Sequence, residues 1–332
     1  MGWQIELENG TLSKSDTSLH EPGPGEVQIN IEASSLNYRD VGIMFGHYPA
    51  KDVLVPLSDG AGSVVAVGPG VDCFKVGDLV HSNFYPFWAG GSANQNNHRA
   101  SLGCEMDGML RSAANLPASA LHKAPAHLNA IESATLPCAG VTAWSALFVR
   151  GELRPGEHVL IQGTGGVAIF ALQIAKAAGA EVTVISSSNA KLERAKQLGA
   201  DHILNYTEIP NWGQAINEQH GGPSIDLVLE LGGEHTLGQS MECLRVNGRI
   251  SVIGLLSGMN PSFSIPTMLQ KQLRMSGVTV GDHESTAGLG RFLTLHNIKP
   301  VIDQVIDHEN AAHCYQVMMA AKHFGKLVIN HI

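Results

Sequence analysis

Gly163, Gly165 and Ala168 stand at G-x-G-x-x-A spacing, directly after the apolar run "HVLIQ" and at the head of "GGVAIFALQIAKAAG". In that order a strand ends, the chain turns sharply on Gly163, and a helix begins over Gly165. Glycine at the second position lets the backbone approach a pyrophosphate, and Ala168 lets the helix lie close to the strand. The free N–H groups and positive end of the helix then hold the phosphates. The backbone of Gly163, Thr164, Gly165, Gly166 and Val167 forms this cradle. About twenty residues further on, an acid would normally grip a ribose hydroxyl. At that place the strand "EVTVIS" runs into Ser186, Ser187 and Ser188, with Lys191 just beyond. A carboxylate there would repel a 2′-phosphate, whereas hydroxyls and an ammonium attract one. Each charge-assisted contact contributes about 1.5–3 kcal/mol. The expected cofactor is therefore NADPH in preference to NADH. Two plainer readings stand beside this one: a tight strand-to-helix turn, and a polar strand end without a ligand.

Such a cradle needs strands and helices in alternation, and the chain supplies them. From about residue 156, "HVLIQG", "EVTVIS", "DHILNY", "SIDLVLELGG", "GRISVIG" and "RMSGVTVG" read as strands separated by helical stretches. Strand–helix alternation implies parallel βαβ units, and six strands with right-handed crossovers make a doubly wound Rossmann sheet. The ends of its fourth and fifth strands place Gly232, and Gly254 with Leu255, at the carboxyl edge where ligands bind. Residues 1–125 differ: short β-like runs punctuated by "EPGPG", "GPG" and "VGD" predict a mostly β domain. Two apolar helices are predicted in "NAIESATLPCAGVTAWSALFV". The expected organisation is 1–125, a Rossmann domain over 126–281, and a C-terminal return over 282–332. The last strand, "RMSGVTVG", should lie at the sheet edge and pair with a second copy, which removes an exposed apolar edge.

The 332 residues allow two domains of ordinary size, with 44% hydrophobic and only 15% charged residues. A formal charge of −9 argues against a nucleic-acid partner. Five scattered cysteines, never in a CxxC pair, suit a reduced chain. The N-terminus lacks a signal-peptide pattern, and the longest apolar stretch is interrupted by Gln173 and Lys176. These features predict a cytoplasmic protein with no membrane partner and a small-molecule substrate.

"LNYRD", "GAGSVVAVGPGVDCFKVGDLV", "LPCAGVTAW" and "GTGGVAIFALQIAKAAGAEV", in this order and spacing, resemble the medium-chain dehydrogenase/reductase superfamily over nearly the whole chain. The resemblance implies a GroES-like catalytic domain, a Rossmann coenzyme domain, an active site in the cleft between them, and dimers or tetramers. In its NADPH-using, quinone-oxidoreductase-like members, a lysine and a tyrosine hold the 2′-phosphate; these positions look like Lys191 and Tyr206. Thr142 falls near the nicotinamide or its ribose. Zinc-dependent members take ligands from positions that read Asn37, Ser58 and Cys138 here, so only one ligand type survives. No metal is expected, because catalytic zinc needs three protein ligands and an open position.

Hydride addition to an isolated ketone leaves a localised alkoxide, which a Lewis acid stabilises. Addition to a quinone or an α,β-unsaturated carbonyl spreads the charge, so that hydrogen-bond donors suffice. Asn37, Tyr38 and Tyr48 are the candidate donors. His47 is a lesser candidate for a proton relay, and Arg39 with Asp40 reads equally as a structural ion pair. The leading expectation is an NADPH-dependent quinone or enone reductase without zinc. An alcohol dehydrogenase or carbonyl reductase of the same superfamily, and a catalytically silent NADPH- or RNA-binding protein, are the alternatives.

Overall fold

A computed structural model describes residues 2–98 and 100–332. The chain divides into two compact units, one formed by residues 1–141 with 280–332 and the other by 142–279.

In the second unit, six parallel strands lie in the order His202–Asn205, Glu181–Ser186, His158–Gln162, Ile225–Glu230, Leu244–Val252 and Arg274–Gly277. Their sequence order, 3-2-1-4-5-6, is that of a doubly wound dinucleotide-binding sheet, as expected. Every residue of His158–Gln162 and of Ile225–Glu230 is buried, which is why both read as continuous apolar runs without alternation. These two strands are neighbours, paired as Val228 with Leu160. They mark the point where the winding reverses, so the crevice for a ligand opens at their carboxyl ends. Helices Gly166–Ala177, Asn189–Gln197, Trp212–His220 and Leu237–Cys243 cover the sheet. On one face Leu160, Ile185, Val228 and Ile250 pack against Trp212, Ile216 and Met241. "LRV", read from sequence as the end of a helix, opens the fifth strand instead. The backbone leaves the helix at Leu244, which is fully buried in the sheet's core.

In the first unit, a sheet runs Ile302–Asp307, Lys326–Asn330, Glu26–Leu36, Asp59–Val67, Leu79–Ser82 and Leu121–Lys123, with Ala113–Pro117 also paired to Glu26–Leu36. The long strand Glu26–Leu36 bulges between Ile31 and Ala33 opposite Gly62. A side chain at Gly62 would lie 1.8 Å from the Asn30 carbonyl oxygen, so only glycine allows that close approach. The last strand, Lys326–Asn330, pairs antiparallel with Glu26–Leu36. The strand Ile302–Asp307, absent from the sequence reading, pairs parallel beside it. Sequence reading put the first junction at 125, whereas residues 126–141 pack with the first unit. Ala130 and Ala134 are buried against Ala33, Ala61 and Val328.

Among the described residues no helix is long and apolar enough to cross a membrane. The strand Arg274–Gly277 lies at the sheet edge, as expected. Next to it in sequence, Leu255, Leu256, Met259, Ile265 and Leu269 are exposed. Exposed apolar side chains of this kind suit a contact with a second copy. Pairing of two copies through this edge predicts a particle of twice the 35.2 kDa chain in light scattering at micromolar concentration, and a monomer alone would refute it.

Candidate functional site

The first strand of the parallel sheet hands the chain to its helix through Gly163, whose φ of +79° requires glycine. Its N–H is fixed by the Ile185 carbonyl at 2.7 Å. Gly165 caps helix Gly166–Ala177 with no side-chain hydrogen bond. The first-turn N–H groups have no intrahelical acceptor, and a glycine cap has no oxygen to occupy them. Gly163, Gly165, Gly166 and Val167 are partly exposed, while Thr164 and Thr142 are buried. These donors fit an incoming pyrophosphate.

Beside the cradle lies a network that sequence reading missed. Glu230, fully buried at the end of the fourth strand, accepts from five donors. Gln162 Nε2 at 2.8 Å and Ser240 Oγ at 2.5 Å reach one oxygen. The backbone N–H groups of Gly232 and Gly233, at 3.1 and 3.0 Å, and the Thr236 hydroxyl reach the other. Gln162 Oε1 in turn accepts from Leu231 and Gly232 N–H, both at 3.0 Å. The turn after the fourth strand is thereby fixed, with Gly254 against it; a side chain at Gly254 would lie 2.5 Å from the Leu231 carbonyl oxygen. Leu255 is exposed beyond it. The signal in the sequence was a glutamine and a glutamate closing two strands with apolar centres.

At the tips of the second and third strands, Ser186 is register partner to Asn205, the residue before Tyr206. The Tyr206 N–H donates to the Ser186 carbonyl at 3.2 Å. Ser186 is buried, whereas Ser187 and Tyr206 are exposed. Ser188 caps the next helix, accepting from the Lys191 N–H at 3.5 Å, so the third serine serves the helix rather than a ligand. Ser186 and Tyr206 thus lie at adjacent strand ends, with Ser187 just beyond Ser186 and Lys191 in the first turn of helix Asn189–Gln197. Sequence reading missed Glu208 at the same edge, held by the side chains of Asn189 at 2.6 Å and Asn205 at 3.2 Å.

In the first unit, Asn37 does not present its amide to solvent. It caps helix Tyr38–Met44 and is 7% exposed. Its Oδ1 accepts from Lys326 Nζ at 2.6 Å. Lys326 is itself buried, donates to the Leu36 carbonyl at 2.8 Å, and lies 3.8 Å from an Asp59 carboxylate oxygen. Asp59 also accepts from the Ser58 hydroxyl at 2.7 Å and the Cys138 N–H at 3.3 Å. Burial pushes the Asp59 carboxyl above its ordinary value, against the pull of Lys326 and the Asn37 and Ser58 side chains. Loss of water, then the Asp59 charge, holds the Cys138 thiol above its usual range. The three positions where the resemblance puts zinc ligands therefore hold an amide oxygen already taken by an ammonium, a hydroxyl given to a carboxylate, and one thiol. This donor set does not fit a three-ligand zinc site.

Tyr38 and Tyr48 are 59% and 46% exposed, and His47 is exposed beside them. Arg39 does not pair with Asp40: it donates to the Leu102 carbonyl at 3.1 Å and Ser101 Oγ at 3.0 Å, and lies over the Phe84 ring. Asp40 closes the helix cap by accepting from the Asn37 N–H at 2.8 Å.

Known proteins share this plan. The alcohol dehydrogenase GroES-like domain family matches residues 23–126, and the zinc-binding dehydrogenase family matches 166–294. A zinc-type alcohol dehydrogenase-like protein of Schizosaccharomyces pombe is 42% identical, covering 92% of this chain and 91% of its own. An acryloyl-coenzyme A reductase of Sulfurisphaera tokodaii is 29% identical over 93% of each chain. Among solved structures, a Sinorhizobium meliloti protein provisionally described as an alcohol dehydrogenase matches with a TM-score of 0.93 at 38% identity, over 100% of this chain and 99% of that one. An NAD-dependent alcohol dehydrogenase matches at 0.91 and 30%, over 99% and 100%. The chain belongs to the medium-chain dehydrogenase/reductase superfamily and is an oxidoreductase, with a GroES-like first unit and a Rossmann second unit.

Asp40, almost fully buried, has its carboxyl pushed up to about 6 by burial, against the opposing Arg39 charge and Asn37 N–H. The native state then binds this proton more tightly than the unfolded chain, so stability falls as pH rises from 3.8 to about 6 and levels above that. Asp40→Asn keeps an acceptor for the cap and removes the titration. Urea unfolding at both ends of the window should show wild type losing about 3 kcal/mol relative to this variant as pH rises, from roughly two pKa units at about 1.4 kcal/mol each. An unchanged difference would place Asp40 in contact with water.

Proposed function

We propose that the chain is an NADPH-dependent reductase that delivers hydride to a quinone or an α,β-unsaturated carbonyl without zinc. The observation that carries this reading is the buried Lys326, bonded to Asn37 and facing Asp59 where the resemblance would seat a metal. Without a Lewis acid, substrates whose reduced form spreads its negative charge are favoured. The acryloyl-coenzyme A reductase relative supports such a substrate, since it is named for reducing an activated alkene.

When bound, the nicotinamide supplies the hydride. The first-turn N–H groups at Gly165, Gly166 and Val167, with Gly163 and Thr164, bind the pyrophosphate. Ser186, Ser187, Lys191 and Tyr206 take the 2′-phosphate, and Thr142 meets the ribose. Gly232 and Gly254, held by the Glu230 network, keep backbone rather than side chains at the carboxyl edge of the sheet, with Leu255 beside them. The exposed hydroxyls of Tyr38 and Tyr48 are the donors for the substrate oxygen, each such donor contributing about 2.7–4 kcal/mol in the transition state. Asn37 sets the helix that carries Tyr38; its Oδ1 is taken by Lys326, and its Nδ2 is buried away from solvent. A second reading, an NADH-using alcohol dehydrogenase, is favoured by the NAD-dependent relative and by Glu208 beside the serines.

Activity separates the two. NADPH turnover with a panel of quinones, enones and simple aldehydes should favour the conjugated substrates and survive EDTA unchanged. Activity lost on chelation and restored by zinc would overturn the zinc-free reading. For the cofactor, Lys191→Ala should raise the KM for NADPH roughly tenfold to 150-fold, one charge-assisted contact, and leave kcat and the KM for NADH nearly unchanged. Equal losses with both cofactors would put the phosphate elsewhere.

A further inference from the structure

At the opposite end of the parallel sheet from the phosphate cradle, three strands begin with a residue able to bind metal. His158, Glu181 and His202 are the first residues of neighbouring strands. Glu181 is register partner to His158, and His202 to Thr183. The last residue of helix Trp212–His220 adds a third imidazole. One ligand atom from each of these four residues lies within 4.8 Å of all the others. We propose that His158, Glu181, His202 and His220 form a structural site for a divalent d-block cation of the zinc type.

Donor chemistry selects the ion. Three imidazoles and one carboxylate suit zinc and its neighbours, whereas calcium and magnesium demand oxygen ligands. The four protein ligands close a tetrahedral site, the mark of a structural rather than a catalytic zinc. The imidazoles are crowded, with ring centroids 4.9 Å apart for His158 and His220 and 4.7 Å for His202 and His220. His220 Nε2 is out of contact with solvent and has no hydrogen-bond partner. Such an orphan is costly unless something meets it.

The metal-free arrangement is held by hydrogen bonds that a cation would replace. His202 Nε2 bonds to Glu181 Oε1 at 2.6 Å, while its Nδ1 meets the Gln219 amide at 3.0 Å. Tetrahedral ligands with bonds of about 2.0–2.2 Å stand roughly 3.3 Å apart. On binding, the metal enters between Glu181 and His202, and the imidazole proton moves from Nε2 to Nδ1. The Gln219 amide then turns its oxygen to accept that proton, a supporting contact of the kind that orients ligating histidines. His158 is held from outside by Thr183 Oγ1 at 2.8 Å and, through its backbone N–H, by Asp226 at 2.8 Å. The cation would pin the amino ends of three strands and the end of one helix, remote from the cofactor at the carboxyl ends.

Cobalt titration of the tag-free, full-length chain tests this. One equivalent of Co2+ should give the visible d–d bands of a tetrahedral nitrogen–oxygen site, with no thiolate charge-transfer band, and Zn2+ should displace it. His220→Ala, a partly exposed position, should weaken binding more than 100-fold, and Gln219→Ala roughly 10-fold to 100-fold. Zinc should raise the Tm of wild type but not of His220→Ala, and chelation should lower Tm while turnover at a temperature well below it stays unchanged. No stoichiometric uptake at micromolar cobalt would overturn the proposal, as would undiminished binding by folded His220→Ala. A thiolate band would overturn it even if that variant failed to fold, because the metal would then sit on a cysteine.

Discussion

A carboxylate without access to water organises the second unit. Glu230 ends the strand beside the winding reversal, and an unpaired charge there would be costly to bury. Its two oxygens accept from two strand or helix side chains, a threonine and two consecutive backbone N–H groups. Those bonds fix the Gly232–Gly233 turn and, through Gln162, tie it to the strand that feeds the phosphate cradle. Gly254 packs against the same turn. At Gly232, Gly233 and Gly254 the carboxyl edge of the sheet therefore presents backbone held by hydrogen bonds.

The first unit solves a similar problem with the opposite charge. Lys326 enters the core on the returning C-terminal strand, where its ammonium meets a carbonyl, an amide oxygen and a carboxylate. Removing either partner of such a buried pair generally costs about 3–5 kcal/mol, more than the pair adds over an apolar replacement. Its value here is positional. It fixes Asn37, and with it the cap of the helix that carries Tyr38.

The two ends of the parallel sheet are chemically distinct. At the carboxyl ends, strand tips and helix N-termini present N–H groups that suit anions. At the amino ends, His158, Glu181 and His202 open three adjacent strands, and the helix C-terminus brings His220. A helix C-terminus favours positive charge. One end is thus fitted to phosphate and the other to a cation, from the same direction of winding.

Much of this was legible in the sequence because it rests on local rules. Strand–helix alternation gave the six parallel strands, and a glycine forced to positive φ announced the cradle at Gly163. The same locality placed Ser186 at the tip of the second strand, whereas Tyr206 came from the family resemblance; Ser186 is in register with Asn205, the residue before Tyr206. What stayed hidden needed partners far apart in the chain. Gln162 and Glu230, and Asn37 and Lys326, are joined only by folding, and no spacing rule links them. Ser188 looked like a ligand but became a cap, because helix initiation claims the nearest hydroxyl first. The sixteen histidines carried no ligand motif. His158, His202 and His220 converge only because parallel strands all begin at one end of the sheet, so register, which sequence periodicity cannot set between strands, decided their meeting.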